Sequence, residues 1–454
     1  MNISRGQCHF IPPWLLERVG ASGSLALDEQ LRARRAARAL RPRSLDVADV
    51  ADGADVAAGA AVDVAAWTVH DAGSATSLPG RPARAAGQPE TGDVAVDEAA
   101  ASIEATLAMF AEGFDRSSYD GRGAPVTITV HYARDYDNAF WDGTHLVFGD
   151  GDGKVFERFT KPGDVLAHEF GHAVTEYTAG FVYRGQAGAL NESVSDVMAA
   201  CFKQHTAGQS AADGDWLIGE GIFVPAIRAR ALRDMAAPGT AYDDPTLGKD
   251  PQVGHMVDFI DTDEDNGGVH LNSGIPNRAF QRAATAIGGT SLQGAGQIWY
   301  AALTAGDLQP SADFVDFAAA TIAVAGEHAE AVTEAWHAVG VMPGRQAARP
   351  FEAPAVWVPS PRAADVVRVK RSGGFAGRTE QGEVALSDAE SELRSLVERI
   401  DFDAAAANAA SYRQMPDMFV YTFRVADGDP VTLPEQALSE DLHELATLVL
   451  SRDV

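Results

Sequence analysis

The sequence predicts an α+β protein: a strand-bearing segment, then a helical one, then a small separate α+β unit at the C-terminal end. Three observations carry this. Val126 to Tyr132 (VTITVHY) alternates as a strand does. From Leu190 onward helical spacing dominates, as in ALTAGDLQPSADFVDFAAATIAVAG and HAEAVTEAWHAVGV. After a Pro-rich stretch, strand-like and helix-like patterns alternate again from residue 365 to 454.

Residues 1–44 come first and differ from the rest. Pro12-Pro13 opens a short helical stretch, Trp14 to Val19, and a basic one follows from Leu25 to Leu40, containing LRARRAARAL. Residues 45–66 repeat Ala, Val, Asp and Gly, bury little, and read as a flexible linker. One large body runs from Trp67 to about Gly344. In it, Gly149 to Phe159 (GDGDGKVFERF) reads as a turn then a strand. Thr160 or Lys161 is expected to cap a helix with Pro162 in its first turn, and Val165, Leu166, Phe170 and Val174 give that helix an apolar stripe. Residues 345–364 (RPFEAPAVWVPSPRA and its flanks) form an extended linker. In the tail, strand-like VVRVKRS and FVYTFRVA flank a helix-like SDAESELRSLVERIDF, and LSEDLHELATLVLS closes the chain as a helix.

The bulk numbers exclude several classes. A formal net charge of -28 repels nucleic acid and favours solubility. No stretch approaches the ~20 apolar residues of a membrane span. The first residues, MNISRGQCHFIPPWLLERVG, interrupt with two prolines the apolar run that a conventional secretion signal needs. Two cysteines, Cys8 and Cys201, exclude a disulfide framework and a Cys-based structural zinc site; Cys201 lies in a helical pattern and reads as core.

The chemistry lies in HEFGH, His168 to His172, and in NESVSD, Asn191 to Asp196. On a helix, His168 and His172 are one turn apart on one face, so two imidazoles can grip one zinc ion. Glu169 beside them can take a proton from a metal-bound water, and Glu192 on a following helix is the expected third ligand. One coordination position then stays open, as a catalytic zinc needs.

The body resembles the thermolysin-like (M4) zinc metallopeptidases, especially their protealysin-type branch. The resemblance spans roughly Val69 to Gly344 and rests on HYARDYDNAFWDG, GDGDG, HEFGHAVTEYTAG, LNESVSD, LRDM and DEDNGGVHLNSGIPNRAF, in that order. It implies a β-rich N-terminal lobe (67–205) that includes the HExxH helix, a helical C-terminal lobe (206–344), and a cleft floored by that helix. It implies zinc on His168, His172 and Glu192, and Glu169 as the general base. It also implies Asp196 orienting His168, Tyr183 and His270 hydrogen-bonding the oxyanion, and Asp265 holding His270. Asn138, Ala139 and Arg233 would bind substrate backbone. Phe156, Phe159, Val165, Ile218 and Leu232 would line an apolar pocket, giving cleavage of proteins or peptides on the amino side of bulky hydrophobic residues. Asp164, Asp215 and Glu220 match calcium ligands of the family, but Lys203 stands where a ligating Glu would be, so one calcium at most is expected. The resemblance implies action outside the cell; without a conventional signal peptide, a cytoplasmic role is the alternative.

CHFIPPWLL resembles the short propeptides of protealysin-type precursors, so residues 1–44 are expected to block the site. Cys8 as thiolate can take the open zinc position in the latent form; the alternative is that Phe10, Ile11 and Trp14 plug the cleft sterically while Cys8 is incidental. Residues 366–450 resemble emfourin-like proteins, inhibitors of protealysin-type enzymes, with Ser372-Gly373-Gly374-Phe375 as the loop suited to enter a cleft. The alternative class is a latent homologue that works as a binding or decoy protein. A structural zinc protein is disfavoured because the site lacks a fourth protein ligand.

Overall fold

The structure is a computed structural model that describes residues 8–39, 65–342, 366–373, 378–385, 396–397, 399–400, 420–425, 431–434 and 438–450. The chain forms two compact units, Asn2–Ala347 and Ala348–Val454. Most of the first linker and all of the Pro-rich linker lie outside the described residues.

The first unit opens with two helices, α1 (Pro13–Arg18) and α2 (Ser22–Ala39). Pro12 is the N-cap of α1 and Pro13 its first residue, where a missing N–H costs nothing and φ is already helical. Leu15 and Leu16 are fully buried, so α1 is tied to the body. The side chains of the basic stretch beyond Arg32 lie outside the described residues.

A five-stranded sheet follows: β1 (Trp67–Asp71), β2 (Arg81–Ala85), β3 (Val126–Val130), β4 (Ala139–Trp141) and β5 (His145–Phe148), in the order β2-β1-β3-β5-β4. β1, β3 and β5 run parallel, and β2 and β4 are antiparallel edges. α3 (Val94–Phe114), capped by the Asp93 carboxylate on the amides of Ala95 and Val96, packs on this sheet and on the helix that carries the histidines.

That helix is α4 (Gly163–Glu176), which packs against α5 (Gly185–Ala207). Two local expectations need correction here. Pro162 is the N-cap of α4, not a first-turn residue, and neither Thr160 nor Lys161 caps it. The Thr160 hydroxyl donates instead to Glu98 Oε2 at 2.8 Å. The stretch from Gly149 to Phe159 forms no strand; a single bridge joins Phe156 to Phe223, and the Asp152 carboxylate accepts three successive amides, from Lys154, Val155 and Phe156, folding the segment into a turn.

Helices also do not continue past α5. Residues 208–264 run mostly as loops with two short pairs, β6 (Leu217–Ile218) with β7 (Arg233–Asp234) and β8 (Asp243–Asp244) with β9 (Gly248–Lys249). Pro225, Pro238, Pro245 and Pro251 punctuate this segment and prevent a helix. The helical region then follows: α6 (Asp265–Asn272), α7 (Gly274–Ile287), α8 (Gln297–Thr304), α9 (Phe314–Val324) and α10 (Ala329–His337). Its core stacks Trp299 on Trp336 at 5.8 Å, and Trp336 donates to the Thr321 hydroxyl. Among the described residues, no helix is long and apolar enough to cross a membrane.

The second unit is an antiparallel sheet, β10 (Val366–Gly373), β11 (Arg378–Ala385), β12 (Val420–Val425) and β13 (Val431–Pro434), ordered β11-β10-β12-β13. A final helix, α11 (Glu440–Leu450), adds Leu442, Leu445 and Val449 to a core with Val367, Val369 and Phe423. β11 and β13 are absent from the sequence expectation: RTEQGEVA and VTLP are too polar or too short to stand out. Of the expected inhibitory loop, Ser372 and Gly373 end β10, and Gly374 and Phe375 lie outside the described residues.

Candidate functional site

The site is built where α4 crosses α5. His168 and His172 are four residues apart on α4, with ring centroids 4.6 Å apart. Facing them on α5 are two further pairs at the same spacing. Glu192 and Asp196 bracket the His168 ring: Nδ1 is 2.9 Å from Asp196 Oδ1, and Nε2 is 3.5 Å from Glu192 Oε2. Asn191 and Ser195 converge on Nδ1 of His172, at 2.8 and 3.0 Å. Two helical ladders, each of period close to one turn, therefore mesh. Gly171 permits the meshing, since a Cβ there would lie 2.8 Å from Ser195 Cα.

With both Nδ1 atoms engaged, the Nε2 atoms of His168 and His172 and Glu192 Oε2 are buried without a hydrogen-bond partner. Glu192 Oε1 lies 3.4 Å from His172 Nε2. Buried polar atoms left so are costly unless something binds them. Two imidazole nitrogens and a carboxylate are the donor set of a zinc site, and the residues fit that ion. Burial takes the His172 ring down to about 3, which keeps it neutral as a ligand must be. Burial also works against charge on His168, but its hydrogen bond to Asp196 and the nearby Glu192 carboxylate hold it up at about 9. Burial works to raise Glu192, but the charges on His270 and His168 draw it well below the carboxylate range. Glu169 is fully buried next to them, and burial pushes its carboxyl up to about 8.

Asp196 is a hub. It accepts from Arg233 Nε at 2.8 Å and Nη2 at 2.7 Å, and from Asn277 Nδ2 at 2.8 Å. Burial raises an acid here, yet Arg233 and His168 take Asp196 down to about 2. Tyr183 donates its hydroxyl to Glu192 Oε1 and lies 3.3 Å from His270 Nε2. Asp265 holds His270 twice, through Nδ1 at 2.7 Å and through the backbone amide at 2.8 Å. Four successive left-handed residues, Asp265, Asn266, Gly267 and Gly268, make that clasp, which explains the DNGG run. Burial disfavours charge on His270, but Asp265 and Glu192 hold it at about 9, so both nitrogens carry protons near neutrality.

The N-terminal segment lies in this cleft. His270 Nε2 is 2.9 Å from the His9 carbonyl oxygen. The Phe10 amide donates to the Ala139 carbonyl on edge strand β4 at 3.0 Å, so the segment adds to the sheet edge. The Asn138 side chain takes both ends of Ile11, accepting from N at 2.8 Å and donating to O at 3.2 Å. Arg233 Nη1 reaches the Phe10 carbonyl at 3.4 Å, and its guanidinium lies 4.9 Å over the Phe10 ring. Phe10 is fully buried, edge-on to His168, against Gly219 and next to Leu232. Ile218 pairs with Arg233 across β6 and β7, and Phe156, Phe159 and Val165 fill the same buried core. Cys8 Sγ lies with ligand atoms of His172 and Glu192 in a group spanning no more than 4.8 Å.

Of the acids matched to calcium ligands, Asp215 and Glu220 hold an ammonium instead. Lys203 Nζ is 2.6 Å from Asp215, 3.0 Å from Glu220 and 3.1 Å from the Leu217 carbonyl. Asp164 is buried and accepts from the Gly219 amide at 2.9 Å.

Asp28 of α2 is a participant that sequence reading missed. Buried at 1 % exposure, it accepts from Tyr136 Oη at 2.5 Å and Asn138 Nδ2 at 2.9 Å, and lies 3.3 Å from His9 Nδ1. Burial pushes its carboxyl up to about 7, even though the bonds from Tyr136 and Asn138 and the charge of Arg32 lower it. An acid held above its unfolded value of about 3.8 binds its proton more tightly when docked. The docking of α2 should therefore be firmest below about pH 4 and weaken as pH rises to about 7. The slope is at most about 1.4 kcal/mol per pH unit. Hydrogen exchange of the first 39 residues against pH measures this, and Asp28→Asn should flatten the profile. An unchanged profile in the variant would exclude Asp28 as its source. Asn191 and Asn277 were likewise unassigned; the need of each histidine or carboxylate for a partner behind it is the only sequence signal that could have found them.

Comparisons with known proteins agree with this geometry. The model of the thermolysin metallopeptidase catalytic domain matches residues 77–176, that of the thermolysin metallopeptidase alpha-helical domain residues 179–341, and that of emfourin residues 369–450. An extracellular metalloprotease of Pectobacterium carotovorum subsp. carotovorum is 46% identical over 346 residues, spanning 74% of this chain and 97% of that protein. Protease PrtS of a Photorhabdus species is 46% identical over 281 residues, spanning 60% of this chain and 76% of that protein. The solved precursor of protealysin, a metalloproteinase from Serratia proteamaculans, superposes with a TM-score of 0.63 at 46% identity, covering 74% of this chain and 99% of that one.

Proposed function

The chain belongs to the thermolysin (M4) metallopeptidase family, and on that footing we propose that it is a zinc metalloendopeptidase made as a zymogen, cutting on the amino side of bulky hydrophobic residues. The observation that carries the reading is the convergence of three buried, unpartnered ligand atoms from His168, His172 and Glu192 with Glu169 alongside. When bound, zinc supplies a Lewis acid that polarises a carbonyl and lowers the pKa of water. Glu169 takes the proton of the attacking water and passes it to the leaving amine nitrogen. His270 Nε2 and the Tyr183 hydroxyl donate to the oxyanion as it develops, where charge is stabilised more than in the ground state. Asp265 keeps His270 aimed, and Asp196 does the same for His168. Asn138, the Ala139 carbonyl and Arg233 hold the peptide backbone.

The N-terminal segment supports both the zymogen and the specificity. It lies as a substrate would: a carbonyl on His270, the next residue's aromatic ring buried beside Leu232, and the backbone hydrogen-bonded along β4. Residues 1–44 act as the propeptide, and the basic helix of that segment complements an acidic body. The Lys203 ammonium occupies the place of a cation between Asp215 and Glu220, so this cluster holds together without calcium. Like its extracellular relative, the enzyme acts outside the cell.

The test is chelation and recovery. Removing zinc should abolish casein hydrolysis by the processed enzyme and adding one equivalent should restore it, while dialysis against calcium-free buffer with zinc kept should leave the melting temperature unmoved. Product sequencing should place Phe or Leu at the new N-termini. Hydrolysis that survives zinc removal would sink the reading. The emfourin-like unit is the second, tethered inhibitor: attachment raises its effective concentration to ~mM, enough for weak inhibition to matter. Deleting residues 346–454 should raise the turnover of processed enzyme, and equal turnover would reject inhibition in cis.

A further inference from the structure

Cys8 has no part in the function above, yet it sits at the site's centre. Its side chain is buried, 5 % exposed, in a small cluster with Tyr183 and Val269. Its sulfur belongs to one compact group with the ligand atoms of His172 and Glu192. Those partners are pinned: His172 by Asn191 and Ser195, and Glu192 by Tyr183. The backbone just after Cys8 is pinned too, through the His9 carbonyl on His270 and the Phe10 amide on Ala139. The sulfur is therefore brought to the site by hydrogen bonds of the two residues that follow it.

We propose that in the latent chain Cys8 is the fourth zinc ligand, closing the coordination position that catalysis needs open. This rests on the reading of His168, His172 and Glu192 as the other three. Two imidazoles, a carboxylate and a thiolate complete a four-coordinate tetrahedral shell, the closed form typical of structural rather than catalytic zinc. The exchange balances simply: the S–H bond breaks, its proton leaves to solvent, a sulfur–zinc bond forms and one water departs. No oxidant is needed. Latency then has two layers, since Phe10 fills the pocket while Cys8 silences the metal.

The experiment uses the full-length chain carrying Glu169→Gln, which keeps residues 1–44 attached without touching a ligand. Loaded with one zinc equivalent, it is examined by X-ray absorption at the zinc edge. A sulfur neighbour at ~2.3 Å beside nitrogen and oxygen at ~2.0–2.2 Å is the expected shell. Adding Cys8→Ser should remove the sulfur while zinc stays at one equivalent. Cys201→Ala should keep it, because Cys201 is buried in α5 beside Gly296 and outside the site. Cobalt in place of zinc gives a second readout, a sulfur-to-metal charge-transfer band lost with Cys8→Ser. A shell of nitrogen and oxygen alone in the parent, at full zinc, overturns the proposal and leaves the metalloprotease reading intact. A chain that binds no zinc overturns both.

Discussion

Glu169→Gln should leave a folded chain that binds zinc normally, neither digests casein nor sheds its first residues, and has lost ~10²–10⁴ or more in kcat. Glutamine has the shape of glutamate but cannot take a proton from water. The position lies between the two histidines on α4, fully buried, and its carboxyl sits at about 8, close to where a general base works best. Intact mass, casein hydrolysis and bound zinc, measured on wild type and variant side by side, separate the outcomes. Retained activity would remove Glu169 from the mechanism. If both proteins stay full length and inert, the flanking segments hold the enzyme latent, and the decoy reading takes precedence.

The second large effect is on stability. Arg233→Met should destabilise the first unit by ~3–5 kcal/mol, the cost of leaving one half of a buried ion pair alone. Arg233 is 4 % exposed and Asp196 fully buried, and two short bonds join them. Methionine fills the volume without answering the carboxylate. Denaturant midpoints measure the loss, and the Arg233→Met, Asp196→Asn double variant should lose less than the two singles summed. The sign with pH follows from Asp196, held at about 2 against an ordinary 3.8. Its contribution is present above pH 4 and lost as pH falls toward 2, so the variant should lose that acid-dependent fraction. A variant as stable as wild type would mean that Asp196 is satisfied without Arg233.

Much of this was legible in the sequence because the chemistry is written at helical spacing. His168, His172, Glu192 and Asp196 announce themselves by residue type and interval, and DNGG marks a left-handed clasp that few sequences tolerate. Less legible was whatever depends on long-range partners. Asp28 is an ordinary acid on a basic helix until Tyr136 and Asn138, more than a hundred residues away, enclose it. Thr160 has the type of a capping residue and is claimed by Glu98. The loops of 208–264 were hidden because Arg233, Leu232 and Ile218 read as helix or strand equally well from so few residues. β11 could not be seen because RTEQGEVA is mostly polar and carries no run of β-branched or aromatic residues.

The direction in which residues 8–11 cross the cleft has an evolutionary consequence. The same Leu232 wall, Arg233 fork and Asn138 amide grip the propeptide and, in the proposed mechanism, the substrate. Latency and selectivity therefore draw on one set of contacts and cannot drift independently. A substitution that enlarges the pocket to admit a new side chain also loosens Phe10, so a lineage that changes diet must rewrite its own first dozen residues or give up its safety catch.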